Sequence, residues 1–220
     1  MTEMHCHILP GIDDGSNSVE TSQKMLEMMK KQGVTQVYAT PHFYAHREQG
    51  VEKFIEKRQR AFEKFGEKDI LLGAEIAIEH GISELPGIER LAYQGTDLIL
   101  LEFPYAKYSS WMETEIFNIA AEYKLTPVIA HIHRYLDFFT KEQMEHILGF
   151  PVIFQVNNEA FSDWKQSRFV KRLIKDELPI ILGSDAHNLT IRKPNWDLVK
   201  KGRRKELIEQ ADSFIENHKV

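Results

Sequence analysis

The 220 residues include a single cysteine, Cys6, so the chain cannot form a disulfide within itself. This usage is typical of a reducing compartment, and we expect a cytoplasmic location. No run of about 18 apolar residues occurs, and we therefore expect no direct membrane insertion. The first residues also lack a basic region followed by an apolar one, so we expect no secretory signal.

The sequence has no excess of positive charge. Its formal net charge is −5, from 28 Lys and Arg against 33 Asp and Glu, whereas nucleic-acid binding requires a basic face. One basic cluster lies at residues 200–205, but Glu206, Glu209 and Asp212 follow it at once. This pattern is typical of the solvated start of a helix. We expect no nucleic-acid partner.

No linker rich in Gly, Pro and Ser divides the chain, and its 42% hydrophobic and 28% charged residues are ordinary for a globular protein. Seven short apolar runs without polar alternation recur along it. Such runs are typical of strands buried on both faces of a parallel sheet. The predicted strands are 3–8, 34–40, 70–78, 97–102, 127–131, 152–156 and 179–183.

Helical patterns separate these runs. Met112, Ile116 and Ile119 fall on one face of a predicted amphipathic helix. A second such pattern follows Ser162, a predicted N-cap. Uninterrupted alternation of strands and helices favours a closed or nearly closed α/β barrel, and we expect one domain over residues 1–220.

Polar side chains stand at or near the C-terminal end of every predicted strand. His5 and His7 alternate along the first strand, so both imidazoles point to the same side. Any one such residue is explained equally well as a polar group that is satisfied by hydrogen bonds. Polar residues at the same end of all seven predicted strands indicate a site, because the C-terminal ends of the strands build the active site of an α/β barrel. The group contains His5, His7, His42, Glu75, Glu102, His131, Gln155, Asn157, Asp185 and His187.

The candidate ligands are imidazoles and carboxylates, without a thiolate. Such a set is typical of Mn, Fe or Zn in catalytic use, and not of a structural zinc. Its five histidines and four carboxylates exceed what one ion requires, so we expect two or three ions. The predicted metal ligands are His5, His7, Asp14, His42, Glu75, Glu102, His131, Asp185 and His187.

Two arginines, Arg134 and Arg192, lie a few residues beyond His131 and His187. A guanidinium can bind a phosphate through two parallel hydrogen bonds. Each arginine alone is explained equally well as a surface residue. Above a metal cluster, we interpret both as catalytic residues that bind phosphate.

Several segments together resemble the motifs of the PHP (polymerase and histidinol phosphatase) superfamily. They are His5-Cys6-His7, Thr40-Pro41-His42, Gly73-Ala74-Glu75-Ile76, Ala130-His131 and Gly183-Ser184-Asp185-Ala186-His187. Within that superfamily, residues 5–15, 101–104 and 184–188 resemble the bacterial manganese-dependent protein tyrosine phosphatases that accompany capsule and exopolysaccharide gene clusters.

The resemblance implies a distorted (β/α)7 TIM-like barrel, the PHP fold, with three ions, of which Mn²⁺ is expected and Fe or Zn are alternatives. The implied ligands are His5, His7, Glu102 and Asp185 for the first ion, His42, Glu102 and His131 for the second, and Asp14, Glu75 and His187 for the third. Glu102 would thus bridge two ions. The sequence departs from the family at Ile132-His133, where Pro-Glu is usual, and at Glu3, where Asp is usual.

The implied function is that of a metal-dependent phosphotyrosine-protein phosphatase, in which metal-activated hydroxide attacks phosphorus in line. Its expected partner is a phosphotyrosine protein, namely an autophosphorylated bacterial tyrosine kinase that regulates capsule or exopolysaccharide synthesis. The alternatives are a small-molecule phosphomonoesterase such as histidinol phosphatase, and a catalytically idle PHP scaffold.

Two further interpretations concern Cys6 and the aromatic residues. A cysteine-dependent phosphatase needs an arginine shortly after its cysteine, but none lies within twelve residues of Cys6. We therefore predict that the Cys6 side chain is buried and packs in the core. The aromatic residues of two loops are open to several interpretations, as walls for a substrate ring, as a partner surface, or as a rim or subunit contact in a homo-oligomer. They are Phe43, Tyr44, Tyr105, Tyr108 and Trp111.

Overall fold

The computed structural model describes residues 1–200 and 204–220. Its strands are β1 (Thr2–Cys6), β2 (Gln36–Ala39), β3 (His42–Phe43), β4 (Ile70–Leu72), β5 (Glu75–Ala77), β6 (Leu98–Glu102), β7 (Thr126–Ile129), β8 (Ile153–Asn157) and β9 (Ile180–Gly183). Its α-helices are α1 (Val19–Lys31), α2 (Val51–Phe65), α3 (Ser110–Tyr123), α4 (Lys141–Leu148), α5 (Trp164–Lys175) and α6 (Arg204–Asn217). Within the described chain, no helix combines the length and the apolar character that crossing a membrane requires.

The strands are parallel and follow one another around a curled sheet. One part has the order β1-β2-β4, and the other has the order β3-β5-β6-β7-β8-β9. The predicted strand 70–78 is interrupted at Gly73-Ala74, and the predicted strand 34–40 is followed, after Thr40-Pro41, by the short strand β3 that it did not include. As a result, β2 with β3 and β4 with β5 each occupy one position. Pro41 has no N–H to continue the ladder. The seven predicted strand positions are therefore present, in a distorted (β/α)7 barrel.

The first and last strands meet at a seam. The Asp185 N–H donates to the His5 carbonyl at 2.6 Å, and the His7 N–H donates to the Ala186 carbonyl at 2.9 Å. Gly183 permits this approach, since a Cβ there would lie 2.6 Å from the Cβ of His5. The seam brings residues from the two ends of the sequence to the same edge of the sheet.

A fully buried carboxylate, Glu3, fastens this seam. Its Oε1 accepts from the backbone N–H groups of His5 at 3.0 Å and Ser184 at 2.7 Å, and its Oε2 accepts from Trp196 Nε1 at 2.7 Å. Burial raises the pKa of Glu3, although these hydrogen bonds act in the opposite direction. Glu3 therefore links β1, the segment after β9 and the Trp196 indole.

The central strands are buried on both faces, as their sequences predict. All five residues of β6 are buried. Leu98 and Leu100 belong to the core inside the barrel, whereas Ile99 and Leu101 belong to the core between the sheet and the helices. The alternation continues to Glu102, so its side chain lies on the interior face at the C-terminal end of the barrel.

The helices agree with the predictions in part. Helix α3 buries its predicted apolar face. The prediction that Ser162 caps α5 is wrong, because Ser162 ends a short 3-10 helix and Asp163 is the N-cap that accepts from the Gln166 N–H. In the predicted basic cluster, Arg204 begins α6, whereas Lys201 and Arg203 lie outside the described residues.

Candidate metal centre

A bulge in β1 aims the first two histidines into the barrel. The pairing with β2 shifts register between Glu3 and Cys6, where β1 gains one residue. Such a bulge changes which side chains face a given side of the sheet. His5 and His7 face the site, whereas Cys6 lies fully buried in the core beneath the helices. The predicted separation of Cys6 from both imidazoles is confirmed.

Positive φ angles position two further side chains of the site. His131 has φ 28° just after β7, and Asp185 has φ 49° just after β9. Residues with a Cβ rarely adopt this conformation, and it concentrates at functional sites. Among the described residues only four non-glycine residues have positive φ, and these are two of them.

Glu75 lies at the centre of the cluster. Its Oε2 is 3.1 Å from His5 Nε2, 3.2 Å from His7 Nε2 and 3.0 Å from His42 Nδ1. Its Oε1 is 2.9 Å from His131 Nε2. One buried carboxylate thus contacts four imidazoles from three different strand ends.

Glu102 lies at the edge of the same cluster. Its nearest imidazole nitrogens are His131 Nε2, at 3.3 Å, and His42 Nδ1, at 4.0 Å. Glu75, and not Glu102, is therefore the carboxylate closest to most of the imidazoles, and the bridging role of Glu102 stays a prediction. The strand register explains the difference, since Glu75 pairs with Leu100 and so lies one inward-facing level deeper than Glu102.

The two oxygens of Asp185 face different partners. Oδ1 lies 3.6 Å from His5 Nε2 and 3.4 Å from His7 Nε2. Oδ2 accepts from Arg134 Nη1 and from Arg192 Nη2, each at 2.7 Å. Asp185 therefore joins the candidate ligands to both predicted arginines.

Asp14 and His187 form the outer part of the cluster. Asp14 Oδ1 lies 3.4 Å from His42 Nε2 and 3.5 Å from His187 Nε2. The Asp14 side chain is 65% exposed, whereas that of His187 is buried. This part of the site is open to solvent, where a substrate can enter.

Groups behind the histidines orient their rings. His5 Nδ1 donates to Gln155 Oε1 at 3.1 Å, and His187 Nδ1 donates to the Asp185 carbonyl at 3.0 Å. Each of these bonds turns Nε2 toward the cluster. Hydrogen bonding at the second ring nitrogen is the usual arrangement of a metal-binding histidine.

Asp13 orients His7 in the same way, with its Oδ2 2.7 Å from Nδ1. Gly15 allows the loop to fold back over this histidine, because a Cβ there would lie 2.4 Å from the Cβ of His7. The sequence analysis missed this role of Asp13, because the sequence alone does not distinguish the adjacent carboxylates of Asp13 and Asp14.

The electrostatics keep the buried carboxylates ionised. Burial raises the pKa of Glu75 and of Asp185, but the charge of His5 and hydrogen bonds from other histidines outweigh it, so both pKa values lie well below their ordinary range. Burial lowers the pKa of His187, whereas at His7, His42 and His131 neighbouring carboxylates outweigh burial and raise the pKa, that of His131 to about 9. A bound metal ion would replace the protons on these rings, because neutral imidazole and ionised carboxylate are the forms that bind metals.

These residues fit metal ions. Asp185 Oδ1 and His187 Nε2 are buried, and neither has a hydrogen-bond partner among the described residues. Buried polar atoms are normally paired, so unpaired acceptors aimed into a cluster of ligand-type side chains indicate a cation-binding site. Ligand atoms within 4.8 Å of one another form three groups, His7-Asp14-His42-His187, His5-His7-Glu75 and His42-Glu75-Glu102.

Glu159 is a site residue that the sequence analysis missed. Its Oε1 accepts from Arg134 Nη2 and from Asn157 Nδ2, both at 2.9 Å. Burial raises its pKa, but His133, Arg134 and Asn157 outweigh burial and lower it to about 2. The Arg134 guanidinium is thus held between two carboxylates, those of Asp185 and Glu159.

An apolar groove of about 680 Å³ opens beside the cluster. Glu102 forms the end nearest to the candidate ligands, and Tyr44, Tyr105 and Trp111 line the walls. Of the other aromatic residues that the sequence analysis considered, Phe43 is buried in the core and Tyr108 packs against the core.

Comparison with known proteins agrees with this geometry. Residues 1–217 match the family model described as capsular polysaccharide synthesis, CpsB/CapC. The chain belongs to the CpsB/CapC family. The family resemblance seen in the sequence motifs is thereby confirmed.

Relatives of the CpsB/CapC family match along most of their length. The tyrosine-protein phosphatase CpsB of Streptococcus agalactiae serotype III (strain NEM316) is 28% identical over 247 residues, covering 100% of both chains. The tyrosine-protein phosphatase YwqE of Bacillus subtilis (strain 168) is 27% identical over 202 residues, covering 87% of this chain and 79% of YwqE.

A solved structure from the report on YwqE of Bacillus subtilis and CpsB of Streptococcus pneumoniae, described as unique metal-dependent tyrosine phosphatases, has the same fold. It matches with a TM-score of 0.74 and 22% identity, covering 100% of this chain and 96% of that one. The α/β barrel fold predicted from the sequence is therefore confirmed.

Proposed function

We propose that this protein is a metal-dependent phosphotyrosine-protein phosphatase. The observation that carries the proposal is the divided role of Asp185, which has one oxygen among the candidate ligands and the other bound to Arg134 and Arg192. A phosphate bound at the ions would lie against both guanidiniums. The names of the CpsB/CapC relatives support phosphotyrosine as its source.

The ligands of the proposed ions are the nine predicted residues, with Glu75 in the central position. They are His5, His7, Asp14, His42, Glu75, Glu102, His131, Asp185 and His187. We propose a cluster of up to three Mn²⁺ ions, with Fe or Zn as alternatives. Such ions lower the pKa of bound water to near neutrality and neutralise charge on the phosphoryl group.

Arg134 and Arg192 would stabilise the charge that develops on the phosphoryl oxygens. Because Asp185 and Glu159 already hold Arg134, its guanidinium is oriented before substrate arrives. Donors fixed in advance avoid reorganisation during the reaction. A tyrosine phenolate, whose parent pKa is about 10, is a good leaving group and needs no strong general acid.

The groove supports an aromatic leaving group. Burial raises the pKa of Tyr105 to about 12 and also raises the pKa of Tyr44, so both walls are neutral phenols. Aromatic walls suit a phenyl ring. A histidinol phosphatase would instead need an enclosed pocket with groups that recognise an amine or an imidazole.

The proposed partner is a tyrosine-phosphorylated protein of capsule or exopolysaccharide synthesis, namely an autophosphorylated bacterial tyrosine kinase. The CpsB/CapC family description supports this process. Together with the single cysteine, it supports a cytoplasmic location for the phosphatase.

Steady-state kinetics with and without Mn²⁺ test the proposal. We expect hydrolysis of a phosphotyrosine peptide that requires the metal, and at least a hundredfold lower kcat/KM for the matched phosphoserine peptide and for histidinol phosphate. A preference for histidinol phosphate would establish the small-molecule alternative. No hydrolysis of any phosphomonoester at full metal occupancy would establish an idle scaffold.

A further inference from the structure

The apolar groove beside the metal centre has two ends of different character. At its near end, the Tyr44 hydroxyl lies 3.4 Å from His42 Nδ1. The Tyr105 ring stacks over the His131 ring, with a centroid distance of 6.1 Å and an interplanar angle of 15°. The near end is therefore built directly on two candidate ligands.

The far end is formed by Trp111, His80 and Met112. The His80 ring stacks on the Trp111 indole, with a centroid distance of 3.8 Å, and the Met112 side chain is buried. None of the nine candidate ligands is among these three residues. The far end is an aromatic and aliphatic surface that the proposed phosphate chemistry does not use.

The size of the groove exceeds the need of one substrate ring. Its 680 Å³ lies within the range of about 300–1,000 Å³ that encloses a drug-sized ligand. A phosphotyrosine whose phosphate sits at the metal centre would place its ring at the near end, between Tyr44 and Tyr105. The far end then accommodates a second group.

The charges at the groove select the chemistry of that second group. Glu102, Glu79 and Lys107 lie on its walls, and Glu79 is engaged by His46, whose N–H and Nδ1 donate to it at 3.0 and 2.7 Å. The walls thus carry charges of both signs, and a charged side chain of either sign would lose water against Trp111 and Met112. An uncharged apolar side chain gains from the same burial.

We propose that the far end of the groove is a specificity subsite for an apolar side chain within two residues of the phosphotyrosine in the substrate. The groove is continuous with the metal centre through Glu102, so a single peptide can occupy both ends. This inference rests on the proposed phosphotyrosine phosphatase activity.

The test compares phosphotyrosine peptides that differ at one position. With the Mn²⁺-loaded protein, kcat/KM is measured for peptides carrying Leu, Gly or Asp at each of the two positions on either side of the phosphotyrosine. We expect Leu to exceed Gly about tenfold or more at one position, the range that a hydrophobic pocket provides, and Asp to be the poorest.

Two variants locate the preference in the groove. In Trp111→Ala, the kcat/KM for the Leu peptide falls about tenfold more than that for para-nitrophenyl phosphate, which has only a ring. In His80→Glu, we expect Lys to replace Leu as the preferred residue next to the phosphotyrosine. Because His80 is exposed, this variant tests the subsite even if Trp111→Ala does not fold. The control is Trp164→Ala, a 75% exposed tryptophan on α5 outside the groove, which leaves the preference unchanged.

Three outcomes would overturn the subsite. They are active hydrolysis without any neighbour preference, a preference that survives both Trp111→Ala and His80→Glu, and equal losses on para-nitrophenyl phosphate and peptides in Trp111→Ala. The last would mean that the far end binds the ring itself. Absence of hydrolysis of all phosphotyrosine substrates at full metal occupancy would instead refute the proposed function.

Discussion

Arg134 and Arg192 converge on a single atom, the Oδ2 of Asp185, to which each donates at 2.7 Å. Two guanidiniums that share one acceptor lie close enough to bind one phosphate together. The sharing also couples the arginines to the metal centre, because the other oxygen of Asp185 faces His5 and His7.

Replacement of either arginine tests this convergence. We expect Arg134→Ala and Arg192→Ala each to lower kcat about a hundredfold or more, as loss of one preorganised donor does, without changing the metal content. Lysine should rescue only in part, since an ammonium cannot form the bidentate contact. If Arg134→Ala reduces kcat less than about threefold while Arg192→Ala is severe, Arg134 is not a catalytic residue.

Glu75 and Glu102 should differ in their effects on metal content. Glu75 contacts four histidines and Glu102 approaches two, so Glu75→Gln should lose more bound Mn²⁺ than Glu102→Gln. Elemental analysis of both purified variants, with circular dichroism as the control for folding, measures this. A larger loss in Glu102→Gln would support the bridging role of Glu102 that the family resemblance implies.

Glu159→Gln should lower kcat/KM about tenfold, in the range for partners that orient active-site groups, because Arg134 loses one of its two carboxylates. Its effect on stability should depend on pH. The pKa of Glu159 in the folded state, about 2, lies below the ordinary value of 4.5, so its contribution is complete above pH 4.5 and is lost as the pH falls toward 2.

Thermal melts of the wild type and Glu159→Gln from pH 7 to pH 2 therefore should differ most above pH 4.5 and converge in acid. Glu122→Gln is the control, since Glu122 is an exposed residue of α3 that forms no ion pair among the described residues. A difference in melting temperature that grows toward acid pH would contradict the assigned pairing.

Cys6→Ser should retain most of the activity. Burial raises the pKa of the Cys6 thiol well above its ordinary value, and the thiol donates to the Tyr38 carbonyl at 3.4 Å. A protonated, buried thiol is not a nucleophile. Prolonged chelation, in contrast, should abolish activity and added Mn²⁺ restore it. Loss of activity in Cys6→Ser with the metals still bound would favour thiol chemistry.

The strand-end pattern predicted most of the site because parallel strands deliver their C-terminal residues to one edge of the sheet. It could not predict which carboxylate lies deepest. That depends on the register of β5 against β6, which pairs Glu75 with Leu100, and apolar runs that tolerate a shift by two residues do not fix it.

The sequence also could not predict the strand irregularities or the residues that support the candidate site. The bulge in β1 could not be predicted, because the same short apolar run is compatible with a strand that has the extra residue and with one that lacks it. Glu159 lies just after β8 in a short 3-10 helix, where a lone acidic residue carries no periodic signal. Its importance arises only from its distance to Arg134.

The seam between β1 and β9 sets the order in which the metal centre can be assembled during synthesis. His5 and His7 are synthesised before their neighbours across the seam, Asp185 and Ala186, and about 180 residues separate the two pairs. At about 5–20 residues per second, the two halves of the site are synthesised roughly 10–40 seconds apart. A nascent chain therefore exposes isolated histidines without a complete cluster, and full assembly of the candidate metal centre must await the synthesis of Asp185 and His187.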